Sequence, residues 1–358
     1  MALPDLVTVI ARNLAIRART IQEAEAYIRS RLWALEELAV NELYAIYRDA
    51  FERMASRLRS VAAQYGAGET WSASDLAFRA RTEAVLAQIG GELEALNRAI
   101  MDATLRASVR GYQAGYYGGA WQLEEGLRNG LPLAQSIPIL PTDAIRAAIL
   151  EPYIGLTFVD RFLDARGEFE RLLRRALVES QIEGESIYQA QVRLARALGV
   201  DIGRRTAAAR AANQAYFYRT ELIARTEILR ASNNGALAIY ERNQDVLRGW
   251  QWTATKDERT CPICGALDGQ VFRFGGQHLP PPTGSHPRCR CTPTPVLINS
   301  ALEERIVGAR QTYREWAAAR GITIAQDGGV LYFRSTPPPK SPSAGAAKTA
   351  PHLYPRGA

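Results

Sequence analysis

The chain reads as a mainly α-helical protein with a small C-terminal β module, an α+β arrangement, and three observations predict it. From Asp5 to Tyr65 there is neither glycine nor proline, and alanine, leucine, glutamate and arginine dominate. After Gly249 the texture changes to the apolar–polar alternation of strands, first in Trp250-Gln251-Trp252-Thr253-Ala254-Thr255. All four cysteines then fall between Cys261 and Cys291, which places a chemically distinct cluster inside that β stretch.

In the first segment Leu32, Leu35, Ala39, Leu43, Ile46, Ala50, Met54 and Leu58 recur at steps of three and four, one apolar stripe on a long helix. Gly66, Gly68 and the stretch Thr70–Ser74 break it. Ser74 or Asp75 caps a second helical run to about Ile89, and Gly90-Gly91 precedes a third to about Val109. From 111 to 155, Gly111, Gly115, Gly118, Gly119, Gly126 and Gly130, then Pro132, Pro138, Pro141 and Pro152, predict a hinge between helical layers. Helical periodicity returns with Phe158, Phe162, Phe169, Leu173 and Leu177, and again over 187–198. A long helix over about 207–247 follows; Asn233-Asn234-Gly235 inside it costs helix stability, so packing compensates there or the helix kinks.

The second strand is Gln270–Phe274, entered through the tight-turn pair Asp268-Gly269. A helix over about 300–320, a hairpin within 322–333 and a disordered, Pro-rich basic tail from 335 to 358 complete the reading. The segments are thus a long-helix arm at 1–110, a Gly/Pro-rich hinge with helices at 111–184, a cysteine-bearing domain at 185–298, a helix plus hairpin at 299–334 and the tail.

The net charge is +7, from 44 basic and 37 acidic residues, and it is unevenly placed. Residues 204–220 hold Arg204, Arg205, Arg210 and Arg219 with no acid, and residues 328–358 are also acid-free. Such patches suit a phosphate backbone or an acidic protein face, although a solvated helix face needs no partner at all. Arg204, Arg205 and Arg210 are the candidate contacts to double-stranded DNA. No apolar run approaches the ~18 residues of a membrane span, and the first twenty residues read as the opening turns of a helix in a cytoplasmic product.

Cys261-Pro-Ile-Cys264 and His286-Pro-Arg-Cys289-Arg-Cys291 form two tight donor pairs separated by one loop, the arrangement a tetrahedral cation requires. A Cys-x-x-Cys turn can put two sulfurs on one metal, and in an extended Cys289-Arg290-Cys291 both side chains share a face. His286 is a fifth donor for four positions, replacing a cysteine or acting behind the ligands. Structural zinc is the preferred reading over disulfides or free thiols: a cytoplasmic product is made under reducing conditions, and a bound metal would help hold together a β module whose own core is small. Asp257, Glu258 and Asp268 could serve a catalytic metal as base, but four thiolates make a closed, weakly Lewis-acidic site. Neither a phosphate-binding Gly-rich loop nor a nucleophile elbow is present, and three histidines leave little room for a triad. An enzyme is not expected.

Ile223-Ala-Arg-Thr-Glu-Ile228, Trp252-Thr, Asp257-Glu-Arg-Thr-Cys-Pro-Ile-Cys264, Leu267-Asp-Gly269 and His286-Pro-Arg-Cys-Arg-Cys291 resemble, in that order, the phage head-morphogenesis family. These are minor capsid proteins similar to protein F of phage Mu, and the resemblance covers residues 185–298. It implies a virion component of few copies, at or near the portal inside the procapsid, with portal, capsid or scaffold proteins as partners and DNA as a contact. It carries Arg225, Thr226 and Glu227 onto the helix motif, Trp252 and Asp257 onto the strand and turn, and Cys261, Cys264, His286, Cys289 and Cys291 onto the metal cluster. Two other classes stay open at this level: a zinc-stabilised nucleic-acid-binding protein outside a virion, and a metal-dependent hydrolase or toxin-like effector.

Overall fold

The computed structural model describes residues 21–64, 76–127, 137–152, 155–183, 185, 187–198, 207–257 and 260–298, together with 319 and 321. The expected opening turns, the break at 66–74, the late helix and hairpin and the tail lie outside these residues. What is described is mostly helical with one small sheet, as the patterning predicts. The elements are α1 (Ile21–Gln64), α2 (Leu76–Leu127), α3 (Thr142–Leu150), α4 (Phe158–Ile182), α5 (Ile187–Leu198), α6 (Ala207–Glu241), β1 (Leu247–Thr253), α7 (Pro262–Leu267), β2 (Val271–Phe272) and β3 (Thr292–Leu297). No described helix is long and apolar enough to cross a membrane.

The predicted stripe of α1 is the face it buries: Leu32, Leu35, Ala39, Leu43, Ala50 and Met54 are all inaccessible, joined by Tyr47 and Phe51. α2 lies antiparallel to it, as the ion pairs Arg106–Glu42 at one level and Arg53–Glu92 and Arg57–Glu92 at the next require. Phe158, Phe162, Phe169 and Leu173 of α4 close the far end of the bundle against Leu93, Leu96 and Tyr216. Thr157 starts α4 with a reciprocal cap: its hydroxyl accepts from Asp160 N–H, and the Asp160 carboxylate accepts from Thr157 N–H.

Among the described residues no hinge begins at 111. α2 runs without interruption through Gly90-Gly91 and through Gly111, Gly115, Gly118, Gly119 and Gly126, so the segment boundary drawn at residue 110 falls inside a helix. At 111–119 these glycines are contact residues. A Cβ on Gly115 would collide with the Ser232 carbonyl, one on Gly111 with that of Ile228, and one on Gly235 of α6 with the Tyr112 carbonyl. Glycines at i and i+4 let α2 and α6 approach backbone to backbone, and the packing gained outweighs their ~1 kcal/mol propensity cost each. The Asn233-Asn234-Gly235 stretch is resolved the same way: α6 continues through it.

The sheet has the order β2-β1-β3 and is antiparallel throughout. β2 is shorter than the predicted run, two residues at Val271–Phe272. β3 lies outside the strands expected from the sequence, and it carries two prolines, Pro293 and Pro295. It is an edge strand, opposite β1 with Trp252↔Pro293 and Trp250↔Pro295 in register, and both prolines fall on the alternate positions whose nitrogens face away from β1, where no ladder bond is lost. The module does not stand alone. Trp250, Trp252, Cys264, Cys289 and Cys291 share one core with Ala24, Tyr27, Trp121, Ile239 and Tyr240 of the helices.

Candidate metal centre and its anchorage

Cys261 caps the short helix α7, its sulfur accepting from Cys264 N–H, with Pro262 at the first helical position. That turn aims the Cys261 and Cys264 side chains to one side. The second arm arrives after a turn in which Cys289 N–H donates to the His286 carbonyl, with Arg288 at φ +60° between them. The donor atoms gather as two triads sharing one residue: Cys261, Cys264 and His286, and Cys264, Cys289 and Cys291, each within 4.8 Å of one another. His286 Nε2 lies 3.2 Å from Cys261 Sγ and 3.4 Å from Cys264 Sγ, and Cys264 Sγ lies 3.6 Å from Cys289 Sγ. Every sequence-predicted donor is therefore in the cluster, with no disulfide among them.

The donor set fits a thiophilic cation on three counts. His286 Nδ1 is 2.7 Å from the Pro287 carbonyl; a carbonyl only accepts, so Nδ1 carries the proton and Nε2 turns a bare lone pair toward the sulfurs. That backbone anchorage is the usual outer bond of a ligating histidine. Burial, and then the neighbouring sulfurs, push the Cys264 thiol up to about 12, while Cys289 and burial push Cys291 up further. Crowded, buried thiols of this kind resist ionisation until a cation compensates them. Finally, the buried Trp252 Nε1 has no hydrogen-bond partner among the described residues, and its N–H pulls the Cys291 thiol down against those larger effects.

α6 holds this cluster from below. Asn233, almost fully buried, donates through Nδ2 to two carbonyls at once, Pro281 O at 2.8 Å and Cys291 O at 3.1 Å. Thr226 Oγ1 accepts from Arg288 N–H at 3.1 Å and donates to Leu222 O, fixing the residue between His286 and Cys289. Arg288 reaches Glu221 at 2.5 Å and lies over the Tyr218 ring. Thr292, next to Cys291, donates to Glu25 of α1 at 2.5 Å. Asn233, Glu25 and Arg288 escaped the sequence reading; the His-Pro-Arg-Cys spacing offered no sign of what would grip its backbone.

The other motif residues have separate places. Arg225 bridges Glu36 and Glu37 of α1 and Glu221 of its own helix at 2.7–2.9 Å. Burial works against its charge, but those carboxylates outweigh it and keep the guanidinium protonated. Burial raises the Glu36 carboxyl above its ordinary value, which Arg225 only partly offsets. Glu227 is buried between Arg161 at 2.7 Å and Arg230 at 2.8 Å, and Arg230 also donates to the Ile149 carbonyl, tying α3 and α4 to α6. Asp257 forms a two-pronged pair with Arg290, at 2.5 and 2.6 Å, and Trp252 is fully buried beside the cysteines. Arg210 lies on α6; Arg204 and Arg205 lie outside the described residues.

No curated protein and no solved structure matches the chain. Residues 172–294 match the family described as Phage Mu protein F like protein. That span holds the motif helix, most of the sheet and all five donors, so the similarity to the phage Mu protein F like family falls on the part of the chain that carries the candidate metal centre.

Proposed function

We propose that this protein is a minor head protein of a tailed phage or prophage, which acts in head morphogenesis at the portal and resides in the virion. The observation that carries the reading is the match of residues 172–294 to the phage Mu protein F-like family, with the donor cluster held inside that span. In this reading the metal is a structural zinc, because four thiols and one imidazole supply more donors than a tetrahedral ion has positions and leave none open. The protein is a docking component and not an enzyme. The helical bundle offers a long, internally stabilised arm for portal, capsid or scaffold proteins, and the acid-free arginine run at 204–220 supplies weak, sequence-independent contacts to packaged double-stranded DNA.

Co-expression with the cognate portal tests the reading. A stable complex is expected, weakened more by deleting residues 1–110 than by deleting 335–358. No complex with full-length protein, or multiple-turnover cleavage of DNA, would sink it.

A further inference from the structure

His286-Pro287-Arg288-Cys289 is a tight turn, closed by the bond from Cys289 N–H to the His286 carbonyl at 3.2 Å. Its second residue is proline, and its third stands at φ +60°. A turn of that kind calls for glycine at the third place, because glycine alone takes positive φ freely. This chain has arginine there, and among the described residues no other non-glycine residue has a positive φ. Holding such a residue in that region costs roughly tenfold in population, so groups outside the turn must hold it.

α6 supplies those groups. Thr226 Oγ1 accepts from Arg288 N–H at 3.1 Å, and Glu221 accepts from the guanidinium at 2.5 Å. The guanidinium also lies 5.0 Å from the centre of the Tyr218 ring. Tyr218, Glu221 and Arg225 stand at i, i+3 and i+7 on α6, one face of the helix. Arg225 braces Glu221 at 2.7 Å while it reaches Glu36 and Glu37 of α1. Glycine at 288 would make the turn without strain and give up the guanidinium contacts. Arginine accepts the strained backbone and gains a fastening to α6.

Of the five donors, His286, Cys289 and Cys291 lie on this arm, so any set of four draws at least two from it. We infer that Arg288 is a positioning residue for the metal: a latch that fastens the His286–Cys291 arm to α6 through Thr226, Glu221 and Tyr218. This rests on the zinc reading above and does not depend on which four donors bind. It gives the helix motif residue Thr226 a task at the metal centre, that of holding a turn its own sequence disfavours.

Competition between a zinc chelator and the full-length chain measures the latch. Arg288→Ala keeps the strained backbone and loses the guanidinium contacts, so zinc should bind about 10–100-fold more weakly, the usual loss for a group behind the ligands. Arg288→Gly loses the same contacts but relieves the turn. It should bind zinc about tenfold more tightly than the alanine variant and still less tightly than wild type. Thr226→Val removes the acceptor of Arg288 N–H and should weaken zinc about tenfold. The two Arg288 variants alter a partly exposed side chain, so they decide the matter if the valine variant does not fold. Wild-type affinity in Arg288→Ala, an alanine variant that binds as tightly as the glycine one, or unchanged affinity in folded Thr226→Val would overturn the latch. A wild-type chain that takes up no zinc would instead sink the zinc reading beneath it.

Discussion

The two ends of the bundle are built from different materials. At the far end, Leu43, Phe51, Met54, Leu93, Phe162 and Phe169 meet in an aliphatic and aromatic core, with stacked pairs such as Tyr47–Phe51 and Phe169–Tyr216. At the near end, Tyr27, Trp121 and Tyr240 share their core with Trp252 and three buried cysteines. The first core is complete in itself. The second has sulfur where the first has hydrocarbon, and only three short strands to support it. Burial of apolar area suffices for one end, whereas in the proposed reading the other depends on a metal held by its thiols and on what the helices hold in place.

The largest expected effect separates the two ends outright. Cys264→Ser removes the donor common to both triads, and with it most of a metal contribution on the order of 10 kcal/mol. Hydrogen exchange should show protection lost over 247–298 and over the abutting turns at 24–28 and 236–240, and retained at 43–54 and 158–173. Equal loss at both ends would make them one cooperative unit and erase the distinction.

Glu227→Ala should act on the bundle instead. It leaves Arg161 and Arg230 facing each other without their shared carboxylate, at a cost of about 3–5 kcal/mol, with metal content unchanged. Urea unfolding and elemental analysis of the same preparation check both halves of that statement. Asn233→Ala works at the junction. It should cost about 1–3 kcal/mol through two abandoned carbonyls and weaken zinc binding about 10–100-fold as an outer-shell defect; unchanged zinc affinity would mean the loops hold their form without α6.

The smallest effect is in pH. Burial raises the Glu25 carboxyl above its ordinary 4.5, against the pull of Arg29 and Thr292. Between 4.5 and that raised value the folded chain binds more protons than the unfolded one. This residue's contribution is therefore greatest below 4.5, falls as pH rises through the raised folded value, and is level above it. Glu25→Gln should remove that fall from the urea midpoint measured across pH. An identical profile in the variant would show that Glu25 is not the group responsible.

Much of this contrast was legible in the sequence. The stripe of α1, the aromatic face of α4, the change of period at Gly249 and the five donors could be read from spacing, because helical period and chelating pairs are local properties. What could not be read was set by contacts between distant segments. Gly111 and Gly115 announce a break unless Ile228 and Ser232 are known to lie against them. Pro293 and Pro295 deny a strand unless its edge position is known. Arg225, Thr226 and Glu227 are adjacent in sequence, yet they serve α1, the Arg288 loop and α4 respectively, a division that only the three directions around a helix could assign.

The central claim is that the near end is closed by a metal, and the metal content of the full-length protein made in zinc-replete cells tests it most directly. One zinc per chain is predicted, with the cysteines protected from thiol reagents until a chelator is added. No metal, with four freely titrating thiols in the folded protein, would contradict it.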